Sequence, residues 1–280
     1  MEELKKVEDL QLIDIEKVFA SKDEKLLKRI PGFFIRYLKR IVHQEEINDF
    51  LIKNQELIGM PFAYKAVEYM DVDLTIRGEE NLPDNTRIII VANHPLGGLD
   101  GSLLTTTIHK KLDPGVRITS NDILLNVRPM RPIFLGLNKH GGNSRSYVKE
   151  MHETFEGDHA VIFFPAGLVS RRRWGVIEDL EWKRTFIKKS IAHQRDVLPV
   201  HFTGRVSNFF YFLANLRKFL GIKYNIEMLY LPNEMFKHRH QKLTMTFGKP
   251  IPWQTFTKDK TADEWAQIVK ARVYEIGKKA

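Results

Sequence analysis

Cysteine is absent from the 280 residues, so the chain can form no disulfide and carry no thiol nucleophile, and it fits a reducing compartment. No apolar run reaches the roughly 18 uninterrupted residues that mark a membrane span. The amino terminus, MEELKKVEDL, lacks the apolar core of a signal peptide. Both absences predict a protein that is soluble or bound to a surface. Several chemical signatures are missing as well. Without a G-x-S-x-G elbow or a G-x-x-x-x-G-K-[ST] loop, serine-hydrolase and P-loop readings have no support. His152-Glu153 is not followed by the second histidine of a zincin, and His238-x-His240 has no acidic or cysteine companion nearby. No metal and no bound cofactor is therefore expected. Acidic residues are in the minority, 35 against 44 basic ones, which leaves a formal charge of +9. That excess favours anionic partners: phosphates, nucleic acid or an acidic bilayer. No recognised nucleic-acid module accompanies it, so nucleic acid is not expected among them.

What is present suffices for a sizeable core, with 43% hydrophobic residues. The length allows one large α/β domain or a domain with a helical extension. Residues 1–70 read as that helical extension. Within it, residues 22–42 join Lys22, Lys25, Lys28, Arg29, Arg36, Lys39 and Arg40 to an apolar side made by Phe33, Phe34, Tyr37, Leu38 and Ile41. A basic amphipathic helix rich in aromatics suits an anionic membrane surface; a helix docked on the main domain with its cations in water is the alternative. A second helical pattern, 45–70, breaks at Gly59 and Pro61.

At Val72 the period changes to two, and the main domain, 71–280, begins. Strands are expected at 72–76, 87–92, 115–119, 132–137, 160–164, 197–202, 225–230 and 242–247. Helices are expected at 101–111, 144–156, 178–194, 206–220 and 262–278. This alternation predicts an α/β fold with a mixed, largely parallel sheet flanked by helices, preceded by the helical extension.

Three stretches carry chemistry. In RIIIVANHPLGGLDGSLL, residues 87–104, a strand runs into a Gly-rich turn and then a helix. That order places His94 and Asp100 at one sheet edge, where open α/β folds keep their sites. A neutral imidazole can take a proton near pH 7, and a neighbouring carboxylate fixes its tautomer and stabilises the imidazolium. Such a pair suits activation of a substrate hydroxyl. Asp100 capping the helix and His94 closing a turn is the plainer alternative. In residues 132–150 a strand leads to His140-Gly141-Gly142-Asn143 and a helix start beside Arg145, where amide groups could hold an anion. In AVIFFPAGLVSRRRWG, residues 160–175, an apolar strand ends in Pro165-Ala166-Gly167, then Ser170 and Arg171, Arg172 and Arg173. Arginine forks grip phosphate or carboxylate. Arg171 is the first choice for that contact, and Arg173 is expected to face solvent or lipid. Residues 205–224 form an aromatic-rich helix, expected in the core or against an acyl chain or membrane.

Taken together, these stretches resemble the glycerolipid acyltransferase superfamily, the enzymes that acylate lysophosphatidic acid and related lysolipids. Its hallmark is N-H-x4-D at a strand-to-helix turn, a glycine and arginine block, F-P-E-G-T-R-S, and a V-P-V-like strand. Here stand Asn93-His94 with Asp100, Gly136 to Arg145, Phe164-Pro165-Ala166-Gly167-Leu168-Val169-Ser170-Arg171, and Leu198-Pro199-Val200, in that order over residues 70 to 250. Two departures, H-x5-D in place of H-x4-D and Ala166 in place of glutamate, are similar to the bacterial branch that carries a hemolysin label. That branch is associated with aminolipid synthesis, in which a lyso-ornithine or lyso-glycine lipid receives a second acyl chain on a hydroxyl.

The resemblance implies an O-acyltransferase with His94 as general base and Asp100 orienting it. It implies amides of Gly97 and Gly98 around the oxyanion. Asn93, Arg145, Gly167, Ser170, Arg171 and Arg172 would contact substrate. The acceptor would be a lysolipid, aminolipid or lysophosphatidic acid. The acyl donor would be a thioester of acyl carrier protein or coenzyme A, with no bound cofactor. The enzyme would be cytoplasmic, peripheral on an anionic inner membrane face. A non-catalytic lipid-surface binding protein of the same fold is the alternative class.

Overall fold

A computed structural model describes residues 12–22, 30–112, 115–120, 127–136 and 144–279. Four helices come first: α1 (Ile15–Lys22), α2 (Gly32–Ile41), α3 (Gln44–Lys53) and α4 (Met60–Met70). The breaks fall where helix cannot persist. Pro31 stands at the start of α2, and Gly59, at a φ of 70°, precedes α4 with Pro61 in its first turn.

The chain then alternates: β1 (Asp73–Arg77), β2 (Ile89–Ala92), α5 (Gly98–Leu112), β3 (Val116–Ser120), β4 (Phe134–Gly136), α6 (Ser144–Glu156) and β5 (Ala160–Phe163). It continues through β6 (Arg171–Arg173), β7 (Val176–Glu178), α7 (Thr185–His193), β8 (Val197–Phe202), α8 (Asn208–Phe219), α9 (Leu231–Phe236), β9 (Lys242–Phe247) and α10 (Ala262–Lys279). Seven of these strands form one sheet in the order β1-β9-β8-β2-β5-β3-β4. Every neighbouring pair is parallel except β8 and β9. The architecture is the mixed, largely parallel α/β sheet that the alternation predicts.

β2 lies at the centre, paired with β8 and β5. Its side chains feed two cores in turn. Ile88, Ile90 and Ala92 join one cluster with Leu103, Leu104 and Phe62, whereas Ile89 and Val91 join another with Trp182, Phe186 and Val273. A strand buried on both faces needs an unbroken apolar run, which is what RIIIVA supplies. Phe62, Ala63 and Met70 of α4 also lie in the first of these clusters, while Ile15, Leu38, Ile41 and Val42 form a smaller one.

Three expectations need correction. Residues 225–230 are not a strand: Ile226–Tyr230 is a 3-10 helix that runs into α9. Its alternation is inverted, since Glu227 is buried while Ile226 and Leu229 are exposed. The helix expected over 178–194 begins only at Thr185, because the preceding residues complete a two-stranded antiparallel hairpin, β6–β7. The arginine run is one arm of that hairpin. The helix expected from residue 101 begins at Gly98, which puts Asp100 in its first turn.

Candidate active site

Because β2, β5, β3 and β4 all run in one direction, their C-terminal ends lie along one edge of the sheet. His94 follows β2 there. Its Nδ1 lies 2.9 Å from Oδ1 of Asp100, whose side chain is fully buried. The contact falls off the line of an ideal hydrogen bond, and it becomes an ion pair only when the imidazole is protonated. Asp100 also accepts from the amide of Leu96 on Oδ2 at 2.9 Å and from that of Gly101 on Oδ1 at 3.0 Å. Asp100 thus faces the His94 ring and at the same time holds two amides, from inside the first turn of α5 rather than from the position before it. Pairing through Nδ1 leaves Nε2 at the opposite edge of a ring whose side chain keeps 19% exposure. The imidazole packs on Phe164, ring centres 4.2 Å apart.

The backbone of His94 is fixed by the two residues that flank the β6–β7 hairpin, Ser170 and Asp179. Its carbonyl accepts from the amide of Ser170 at 2.9 Å, and its amide donates to Oδ1 of Asp179 at 3.2 Å. Asp179 is a residue beside His94 that sequence reasoning missed. It is buried, and its carboxylate also accepts from Ser170 Oγ at 2.6 Å and from Trp182 Nε1 at 2.9 Å. Asp179 lies in EDLEWK, a run that reads as the solvated start of a helix, so no signal in the sequence marks it. Burial pushes the Asp179 carboxyl up, against the pull of its donors. For His94, burial disfavours the imidazolium, but the charges of Asp100 and Asp179 outweigh it and the pKa is raised above 6.5.

The other expected site residues divide by placement. Asn93 is buried, and its amide spans to β8, donating to Phe202 O at 2.9 Å and accepting from Phe202 N at 2.7 Å. It braces the strand ends. Gly97, at a φ of 78°, turns the chain into α5, and Gly98 opens that helix. Gly167, at a φ of 67°, closes a hydrogen-bonded turn with Phe164; a Cβ there would lie 3.2 Å from Lys183 Nζ. Ser170 is buried in the Asp179 network. Arg171 is also buried, with its guanidinium 3.1 Å from Glu227 and bonded to the Val169 carbonyl at 2.6 Å. Arg217 reaches the other oxygen of Glu227 at 2.8 Å. Two arginines on one carboxylate leave a net positive charge, and Arg171 is close enough to His94 to bear on its titration. Arg172 is half-buried, lies over the Tyr211 ring and donates to Asn208 at 2.9 Å. The loop 137–143 and the Arg145 side chain lie outside the described residues.

Among the described residues, one group is close enough to hold a metal ion: His152, Glu156 and His193. It sits at the far ends of α6 and α7, just ahead of the starts of β5 and β8, and so at the sheet edge opposite His94.

A sequence model of the family described as Acyltransferase matches residues 17–279. The chain is 50% identical over 265 residues to a lyso-glycine lipid O-acyltransferase of Phocaeicola vulgatus, covering 95% of each chain. It is 49% identical over 269 residues to the enzyme of the same name from Bacteroides thetaiotaomicron, covering 96% of this chain and 99% of that one. The fold is similar to the crystal structure of the 1-acylglycerophosphate acyltransferase of Thermotoga maritima, with a TM-score of 0.51 at 18% identity over 88% of this chain and 92% of that one.

Proposed function

From the premise that this chain belongs to the acyltransferase family, we propose that it transfers a fatty acyl group from a thioester to the hydroxyl of a lyso-glycine lipid, with His94 as general base. It is an acyl-transfer enzyme, and its activity is that of a lysolipid acyltransferase. The observation that carries the assignment of chemistry is the pairing of His94 Nδ1 with buried Asp100, which reserves Nε2 for a substrate proton. The acceptor is taken from the two relatives, which share about half of their residues with this chain along nearly its whole length.

In the proposed step Nε2 of His94 takes the proton of the acceptor hydroxyl as its oxygen attacks the thioester carbonyl. The imidazolium that forms is stabilised by Asp100. The developing oxyanion is met by amides of the Gly97–Gly98 turn. The carbon–sulfur bond then breaks, and the proton held by His94 leaves with the thiolate of acyl carrier protein or coenzyme A. The carboxylate of the glycine head is drawn by the net positive Arg171–Glu227–Arg217 group and by Arg172. Since the donor is water-soluble and the acceptor is a lipid, the reaction belongs on the cytoplasmic face of an anionic membrane, with the enzyme bound peripherally. No described helix is long and apolar enough to cross a membrane.

The test is transfer of labelled palmitate from acyl carrier protein to lyso-glycine lipid or lysophosphatidic acid, with wild type and His94→Ala. Label should enter the glycine lipid, and the variant should lose roughly a hundred- to ten-thousandfold in rate. Near-normal transfer by His94→Ala would sink the role of the base. Preference for lysophosphatidic acid would reassign the acceptor. No transfer to either lipid, with lipid binding retained, would make the protein a binding module of this fold.

A further inference from the structure

Helix α8 is apolar on two sides. Phe210, Tyr211 and Ala214 face inward; Phe210 and Tyr211 pack with Val169 and Val206 in a small core. Phe209, Phe212, Leu216 and Phe219 recur at i, i+3, i+7 and i+10 and are all exposed, Phe219 to 86%. A surface helix is expected to turn a polar side to water. A second apolar stripe is the mark of a surface that meets something else.

The stripe does not stand alone. Phe209 packs on Tyr230, ring centres 5.1 Å apart, and Tyr230 shares a hydroxyl contact with Tyr37 of α2. Tyr37 in turn neighbours Phe34, and exposed Phe33 lies beside it. A surface depression on α2 is lined by Phe33, Arg36, Tyr37 and Arg40. On the other side, Asn215 of α8 donates to the Arg172 carbonyl of the β6–β7 hairpin at 3.4 Å. That hairpin ends in Trp174, which is fully exposed and has a φ of 51°. The left-handed region strains a bulky side chain, and Trp gains nothing from water there. The turn would be better served by Asn or Asp before Gly175.

Charge runs the same way. Residues 30–42, 171–177 and 204–226 contain no Asp or Glu, and apart from Lys39, paired with Glu16, and Arg171 and Arg217, both on Glu227, they carry Arg36, Arg40, Arg172, Arg173, Arg205, Lys218 and Lys223. The next acid, Glu227, is buried and bound by Arg171 and Arg217.

We propose that α2, the outer stripe of α8 and the Trp174 hairpin form one docking face for an anionic lipid bilayer, with the aromatic side chains entering the interface and the cations meeting lipid phosphates. This rests on the reading of the acceptor as a lipid and specifies how the enzyme reaches it. The hairpin springs from Ser170 and Arg171, and the Ser170 amide holds the His94 carbonyl. Seating Trp174 in the interface would thus set the membrane at the tip of a hairpin whose base touches His94.

The full-length protein would be co-sedimented with vesicles of phosphatidylglycerol in phosphatidylcholine, and with phosphatidylcholine alone, as wild type and as the triple variant Trp174→Gly, Phe212→Ser, Phe219→Ser. These positions are exposed and outside the catalytic machinery. Wild type should bind the anionic vesicles, more weakly at high salt, with a blue shift of Trp fluorescence. The triple variant should lose at least about tenfold in affinity while keeping turnover on acceptor dispersed in detergent. Unchanged vesicle binding by the variant would overturn the proposal, as would equal binding of wild type to neutral vesicles. Self-association that the variant abolishes, with indifference to vesicles, would give the face to a second copy of the chain and overturn it too. The binding readout needs no turnover, so failure of the acyl-transfer reading would be seen separately.

Discussion

The His94 cradle and the β6–β7 hairpin are joined at Ser170, yet they solve opposite problems. Around His94 almost every polar group is buried and spoken for: Asp100 holds the ring and two amides, Asp179 holds the backbone, and Asn93 ties the strand ends. A few residues on, Trp174 is wholly exposed in a left-handed turn and the outer side of α8 is apolar. The first region is over-determined, as a group that must stay in register with a reacting oxygen has to be. The second keeps features that water penalises. Under the proposed function the difference separates chemistry from access, and each should then break without the other.

The largest effect expected, short of removing the base itself, is that of Asp100→Asn. Turnover should fall by orders of magnitude, since the amide cannot stabilise the imidazolium. Its sign on pH is also fixed. The base must be neutral, so activity is lost as pH falls through the His94 pKa, which is raised in the wild type. Removing the charge of Asp100 lowers that pKa and moves the residual acid limb to lower pH. Asp179→Asn should do the same to a smaller extent, with a severalfold loss of turnover and an acid limb displaced downward. A purely structural role for Asp179 would lower turnover and leave the limb in place. A pH profile of kcat/KM for the two variants separates these cases.

Asn93→Leu should act on stability. It strands the amide and carbonyl of Phe202, at about 1–3 kcal/mol for each buried group left unpaired, read as a lower urea midpoint. The smallest effect is expected from Trp174→Gly, which relieves the left-handed turn and should raise stability by about 1 kcal/mol. A stabilised variant that binds vesicles poorly would sharpen the contrast between the regions; a destabilised one would show that Trp174 packs where the structure leaves it exposed.

Much of the fold was legible because apolar runs announce buried strands. The expected 197–202 and 242–247 coincide with β8 and β9, and 160–164 differs from β5 by one residue. The His94–Asp100 turn was legible because glycines and a proline follow a strand there. The hairpin was not, since three arginines in a row carry no period-two signal and their partner strand is short and mostly exposed. Residues 225–230 misled for a physical reason: the buried member of the alternation is Glu227, made tolerable by Arg171 and Arg217 from distant positions. Asp179 stayed hidden because its partners, Ser170, Trp182 and the His94 amide, gather only in the folded sheet.

The claim at the centre is that His94 is a base tuned upward by the carboxylate that holds it. Direct titration of its imidazole by NMR, in the wild type and in Asp100→Asn, tests this. The account expects a wild-type value above 6.5 that falls in the variant. A wild-type value at or below 6.5, or one indifferent to the loss of Asp100, would contradict it.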